Sequence, residues 1–252
     1  MKEYLTYLSD TDNLRRSTFF LGLKFIFSSK KYSEYEIDYI IDLLIKGLLD
    51  DDLKSKQNAF SSLINCVHMY SKVIKTKKGC FDNLWNIFKK DNVIDKSLIE
   101  IVDIGGGMKI KNDKGLVIRK SIYSSIKILL ESIPEKFSMS ETLQVLLVGL
   151  DDNEDIQAIA HSCFLKIAYI APEAFISIID VLTDNLNAKL HNLLNPPTEK
   201  GAEAKIDKKK VNDLQNTVKR LFDEIKKVPE VEENPKFTDL FYAVKNDIND
   251  KK

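Results

Sequence analysis

Residues 50–67, DDDLKSKQNAFSSLINCV, decide how the rest of the chain is read. An acidic cluster comes first, then an apolar-plus-polar pair, then an apolar stripe at helical spacing. The same order recurs in TDNLRRSTFFLGLKFIF (11–27), NDKGLVIRKSIYSSIKILL (112–130) and DDNEDIQAIAHSCFLKIA (151–168). Aligned on Leu14, Ser55, Ile118 and Ile156, the copies stand 41, 63 and 38 residues apart. The first spacing fits the period of about 40–47 residues typical of HEAT and armadillo arrays, and the last matches it to within two residues. The middle one is about 22 residues too long for that period, so a segment is inserted there.

Each copy is followed by a second apolar stripe that reads as a helix returning on the first. Ile37, Ile40, Ile41, Leu44, Ile45 and Leu48 form the first return stripe, and Leu84, Trp85, Ile87 and Phe88 the second. Leu143, Leu146, Leu147 and Leu150 form the third, and Phe175, Ile178, Ile179 and Leu182 the fourth. Asp, Asn or Ser ahead of each helix offers an N-cap, and Pro172 suits a first helical position. The clusters Asp50–Asp52 and Asp151–Asp152 fall at turns between repeats, where they favour the positive end of the next helix.

The composition agrees with a helical array. Nine glycines and six prolines among 252 residues are few for a strand-and-turn architecture. Lys+Arg and Asp+Glu balance at 38 each, so no net field draws the chain to nucleic acid or an anionic membrane. Three cysteines form no disulfide framework and read as reduced intracellular thiols. The opening MKEYLTYLSD has no apolar stretch of signal-peptide length, and no run is long enough to span a bilayer. A soluble cytoplasmic or nuclear protein is expected.

Beyond Leu194, NPPTEKGAEAKIDKKK reads as an exposed loop. Two helices follow. Leu214, Val218, Leu221, Phe222 and Ile225 line one, and Phe237, Leu240, Phe241 and Val244 line the other. Together they read as a capping pair. Little capping material precedes Leu14, from which the chain is expected to be the C-terminal piece of something longer. The expected architecture is therefore an all-α, HEAT-like α-solenoid, a right-handed superhelix with one inserted β-hairpin. Residues 1–194 carry the repeats with the hairpin near 99–115, 195–207 form the loop, and 208–252 the capping helices of one continuous solenoid.

The insert, IEIVDIGGGMKIKNDKGLVIRK (99–120), alternates with strand period around Ile99 and Ile101 and again over Met108–Lys111. Gly105–Gly107 and Asn112–Gly115 supply turn chemistry. Repeat packing does not require such a hairpin. Here the sequence resembles the cullin-associated, neddylation-dissociated (CAND) family. The resemblance runs through LIEIVDIGGGMKIKNDKGLVIRKSIYSSIKILLES (98–132), LLVGLDDNEDIQAIAHSCFLKIAYIAPEAF (146–175) and VNDLQNTVKRLFDEIKKVPE (211–230). LRRSTFFLGLKFIF (14–27) and GLLDDDLKSKQNAF (47–60) extend it upstream, so it covers about Leu14 to Ile248.

The resemblance implies a regulator of cullin–RING ubiquitin ligases. Such a protein wraps an unneddylated cullin in complex with its RING subunit. Its C-terminal repeats lie on the cullin N-terminal domain, and its hairpin occupies the surface used by a Skp1-like substrate adaptor. Exchange of substrate receptors follows from that mutually exclusive occupancy. The residues implied are Gly105, Gly106, Gly107, Met108, Lys109, Ile110, Lys111, Asn112, Asp113, Lys114 and Gly115. Gly106 matches the family's first Gly, Met108 its Phe, Lys109 its Lys, Asp113 its first Asp and Gly115 its closing Gly. The Gly105–Gly107 run is one residue longer than the family's, Gly107 replaces a Pro, and Ile110-Lys111-Asn112 stands for His-Thr-Val. The family's N-terminal repeats have no counterpart in this chain.

Other chemistries find less support. Cys66 and His68, like His161 and Cys163, are two apart on helices and face different ways, so no metal or cofactor is expected. The Gly105–Gly107 run lacks the third Gly of a dinucleotide fingerprint and the Gly-Lys-Ser/Thr ending of a P-loop. No G-x-S-x-G elbow is present, although a catalytic triad can assemble from distant positions. Lys75, Lys77 and Lys78, and Lys208–Lys210, read as solvated runs rather than a nucleic-acid stripe. The chain is thus read as no enzyme. A nuclear-transport or phosphatase scaffold is the rival, because fold alone does not settle function. Deleting Met108–Lys114 is expected to spare folding while abolishing adaptor displacement.

Overall fold

The computed structural model describes residues 12–29, 31–103, 105–106, 109–195, 207–226 and 234–249. Most of the expected loop, 196–206, lies outside the described residues. The chain divides into two compact units, residues 1–137 with 151–159, and residues 138–150 with 160–252.

The first unit contains α1 (Asn13–Ser28), α2 (Glu34–Leu48), α3 (Leu53–Thr76), α4 (Cys80–Asp91) and α5 (Leu116–Ser132). Helices α1, α3 and α5 lie side by side in one layer, and α2 and α4 pack behind them in a second. This is the two-layer stack that recurring helix pairs dictate, since one pair alone cannot bury its apolar face. From the first return stripe, Ile37, Ile40, Ile41, Leu44 and Leu48 are buried, with Leu43 beside them and Ile45 only half-buried. All four residues of the second are buried, and Trp85 and Phe81 meet the edge of Phe137 at 5.3 and 4.9 Å between centroids.

Small polar residues let α1 and α3 approach closely. Asn58 Nδ2 donates to the Ser17 carbonyl at 2.9 Å and its hydroxyl at 3.1 Å, while Ser62 Oγ donates to the Phe20 carbonyl at 2.6 Å. These buried groups are satisfied across the seam, which is the condition for keeping them there. Asp12, Ser33 and Asp52 cap α1, α2 and α3 through their side chains, and Ser33 with Glu36 completes a capping box. The expected caps fail at α4 and α5, which begin after Gly79 and Gly115 without a side-chain acceptor.

The second unit holds α6 (Met139–Gly149), most of α7 (Glu154–Ile170), α8 (Pro172–Ile176), α9 (Ile179–Leu194), α10 (Lys208–Ile225) and α11 (Pro235–Asn249). The fourth return stripe is one run in sequence but two helices in space. Pro172 starts α8 at its first turn, and the chain breaks at Ser177 and Ile178 before α9. Phe175, Ile178, Ile179 and Leu182 are all buried nonetheless. Phe164 of α7 stands edge-on to Phe175, centroids 6.3 Å apart. Helices α10 and α11 pack on each other and on α9, with Phe222 stacked against Phe241 at 3.7 Å.

One β-hairpin interrupts the helices, as the alternation of the insert implies. β1 (Ile99–Asp103) pairs antiparallel with β2 (Lys109–Asp113), and Val102 faces Ile110 in the register. The fold is all-α, of the HEAT-like α-solenoid class, with this single hairpin among the described residues.

Candidate partner-binding hairpin

Both faces of the hairpin are open to solvent. Only Ile99 and Asp113, at its base, are half-buried. Because side chains alternate along a strand, Glu100, Val102, Ile110 and Asn112 share one face. Ile99, Ile101, Asp103, Lys109, Lys111 and Asp113 share the other. Ile101, Val102 and Ile110 are 71, 42 and 51% exposed. These β-branched side chains therefore lie in water on a ribbon that contributes nothing to the repeat core.

The turn at the tip uses the glycines as the sequence requires. Gly105 and Gly106 take φ of 87° and 65°, left-handed values that side chains rarely adopt, and Asp103 Oδ1 accepts from Gly105 N at 2.8 Å. Gly107 and Met108 lie outside the described residues. Lys109, Ile110, Lys111 and Asn112 form the exposed second strand. The expected turn over Asn112–Gly115 is placed differently. Asn112 and Asp113 remain in the strand, and the turn falls at Lys114–Gly115 where β2 enters α5. Asp113 Oδ1 accepts from Gly115 N at 3.0 Å there, so the Asx chemistry serves the strand-to-helix junction.

The base is tied to the repeat at several points. Lys114 N donates to the Leu98 carbonyl at 3.0 Å, and Gln57 Nε2 of α3 donates to the Lys114 carbonyl at 2.6 Å. Lys114 also pairs with Glu100 across the hairpin. Beneath them lies Arg119, only 2% exposed. Its Nη2 donates to Asp113 Oδ2 at 2.7 Å and to Asp152 Oδ1 at 3.0 Å, while Nε donates to Asp152 Oδ2 at 2.5 Å. Burial opposes the guanidinium charge, but the hydrogen bonds it donates to Asp152 and Asp113 outweigh that and raise the pKa. The Arg119 hydrogen bond in turn holds the Asp113 carboxyl below the usual carboxylate range.

Arg119 carries no local motif, yet its spacing from an acid recurs along the chain. Arg16 pairs with Asp50 at 3.1 Å, Lys56 with Asp91 at 2.8 Å, and Arg119 with Asp152. In each case a base early in one front helix meets an acid at the end of the return helix or in the turn just after it, 33 to 35 residues later. The basic run at Lys75–Lys78 also has structural work. Lys77 Nζ bridges Asp38 at 2.7 Å and Asp42 at 3.1 Å, and Lys75 pairs with Glu135. Among the described residues no three His, Cys, Asp or Glu side chains gather in a way that could hold a metal, and no helix is long and apolar enough to cross a membrane.

Stacked helix pairs carrying one side-chain-anchored hairpin define a helical-repeat scaffold. The family described as "TATA-binding protein interacting (TIP20)" matches residues 78–245, the stretch that includes the hairpin and its anchor. Over 209 residues the chain is 27% identical to the C-terminal part of cullin-associated NEDD8-dissociated protein 1 of Emericella nidulans, covering 80% of this chain and 20% of the relative. It is 24% identical to cullin-associated NEDD8-dissociated protein 2 of Mus musculus, over 92% of this chain and 19% of the relative. It is 28% identical to cullin-associated NEDD8-dissociated protein 1 of Arabidopsis thaliana, over 64% of this chain and 14% of the relative. The chain belongs to this family, that of the C-terminal region of the cullin-associated NEDD8-dissociated proteins. It spans about a fifth or less of the length of these relatives.

Proposed function

We propose that this chain binds the N-terminal domain of an unneddylated, RING-bound cullin and competes there with a Skp1-like substrate adaptor. In this reading it acts as a scaffold, not an enzyme, and promotes exchange of substrate receptors on cullin–RING ubiquitin ligases in the cytoplasm or nucleus. The observation that carries it is the projecting hairpin. Its Ile101, Val102 and Ile110 are held in water by a rigid base, in a chain whose relatives are named for association with cullins. The helical surface would supply most of the contact area and the hairpin the steric conflict with the adaptor. The α10–α11 pair would act as a cap on the array, whose apolar edge needs a polar outer face.

The test is a pulldown of the 252-residue chain with unmodified cullin, with and without saturating adaptor. Capture that adaptor abolishes supports the reading, and capture indifferent to adaptor refutes the competition. A second arm removes the hairpin. The cut should replace residues 104–112 and stop short of Asp113, because removing Met108–Lys114 would also strip Arg119 of a carboxylate. The shortened protein should keep its helical circular dichroism and lose adaptor displacement.

A further inference from the structure

The structure assigns Arg119 a second role, as the positioning residue that sets the angle of the hairpin on its repeat. The inference rests on the proposed function for its consequence, but on the geometry alone for its content. Arg119 Nη2 reaches Asp113 at the end of β2 and Asp152 at the turn before α7, so one guanidinium joins the hairpin to the frame. Asp152 is 5% exposed at its side chain and Asp113 17%, so the pairing is shielded from solvent on the frame side and partly open on the hairpin side. The planar fork of Arg meets both carboxylates in fixed directions, which a lysine ammonium would not do.

Two further observations point the same way. A Cβ at Gly115 would stand 3.0 Å from Arg119 Nη1, so the junction leaves the guanidinium just the space it fills. Gln57 from α3 holds the neighbouring Lys114 carbonyl, so the hairpin base is fixed from two helices. A two-stranded hairpin is marginal by itself in water and needs such support to keep one orientation. A ribbon held at one angle presents Val102 and Ile110 ready for a partner and avoids the ordering cost that a swinging ribbon would incur on binding.

The experiment separates the two carboxylates. Spin labels on K54C of α3 and K109C of β2 report the hairpin-to-frame distance, and the native cysteines are buried and escape labelling. Asp113→Ala should broaden the distance distribution at least about twofold while Trp85 fluorescence shows the unit still folded, because Arg119 keeps Asp152. Asp152→Ala should do the reverse, lowering the unfolding midpoint while the distribution stays narrow. Cullin affinity should fall about tenfold in Asp113→Ala, the scale of one lost charge-assisted hydrogen bond. A distribution in Asp113→Ala as narrow as in the parent overturns the assignment, as does equal broadening in both variants. If the parent captures no cullin, the proposed function fails instead, and the distance measurement still decides the role of Arg119.

Discussion

Gly47→Ala looks stabilising from the sequence and should be destabilising in the protein. Gly47 lies in α2, where exchanging Gly for Ala in a helix ordinarily gains about 0.5–1 kcal/mol. The structure sets a larger cost against that gain. A Cβ at Gly47 would stand 2.3, 2.5 and 2.6 Å from Cε1, Cδ1 and Cζ of Phe20, where carbon contacts prefer about 3.5–4.0 Å. Phe20 is fully buried and touches Phe19 edge-on at 5.4 Å, so its ring has little room to retreat. Overpacking of this kind costs about 1–3 kcal/mol, which leaves a net loss of up to roughly 2.5 kcal/mol, centred on about 1. Urea unfolding followed through Trp85, the single tryptophan, reads the unit that contains both residues. Phe20→Leu supplies the cross-check. It removes the ring and leaves carbons that can rotate away, so in that background Gly47→Ala should be neutral or mildly stabilising. An equal cost in both backgrounds would refute the close-approach argument, and so would stabilisation of the parent.

Two other outcomes follow from buried titratable groups. Burial, with help from the Lys189 charge, pushes the His161 imidazole from 6.5 down to about 4, and its Nε2 is buried without a hydrogen-bond partner among the described residues. The folded state thus prefers the neutral ring, so its contribution is complete above about pH 6.5 and drains away as pH falls towards 4. Amide-exchange protection along α7, corrected for the slowing of intrinsic exchange at lower pH, should fall over that window by up to roughly 3 kcal/mol, and His161→Leu should flatten the trend; an unchanged slope would contradict the assignment. Burial raises the Cys66 thiol well above its ordinary value and Cys80 to about 12. With Cys163 also buried, a disulfide reagent should find no reactive thiol in the native protein and three after denaturation. Rapid native labelling of even one would show that the packing around it opens.

Much of this architecture is local and therefore legible in the chain. Helical stripes such as Ile37–Leu48, the alternation of Ile99–Asp103 and Lys109–Asp113, and the glycines at the hairpin tip each depend on backbone preferences a few residues wide. The repeat spacing located the insert because the 63-residue interval exceeds the neighbouring 41 and 38. The fourth return stripe shows where local reading stops. Its apolar period continues through Ile178 and Ile179, yet the chain breaks at Ser177 so that α8 and α9 can each bury their share.

What the sequence by itself determined is the class of elements and their order, with the family entering through the resemblance of segments such as 98–132 and 146–175. Only the tertiary structure decided that Arg119 lies buried between Asp113 and Asp152, that Asp113 belongs to the anchor rather than the tip, and that Gly47 yields its place to the Phe20 ring. The physical reason is range. Strand and helix periods are set between neighbours, whereas the cost of a buried charge or of one extra methyl depends on which distant residues packing brings within a few ångströms.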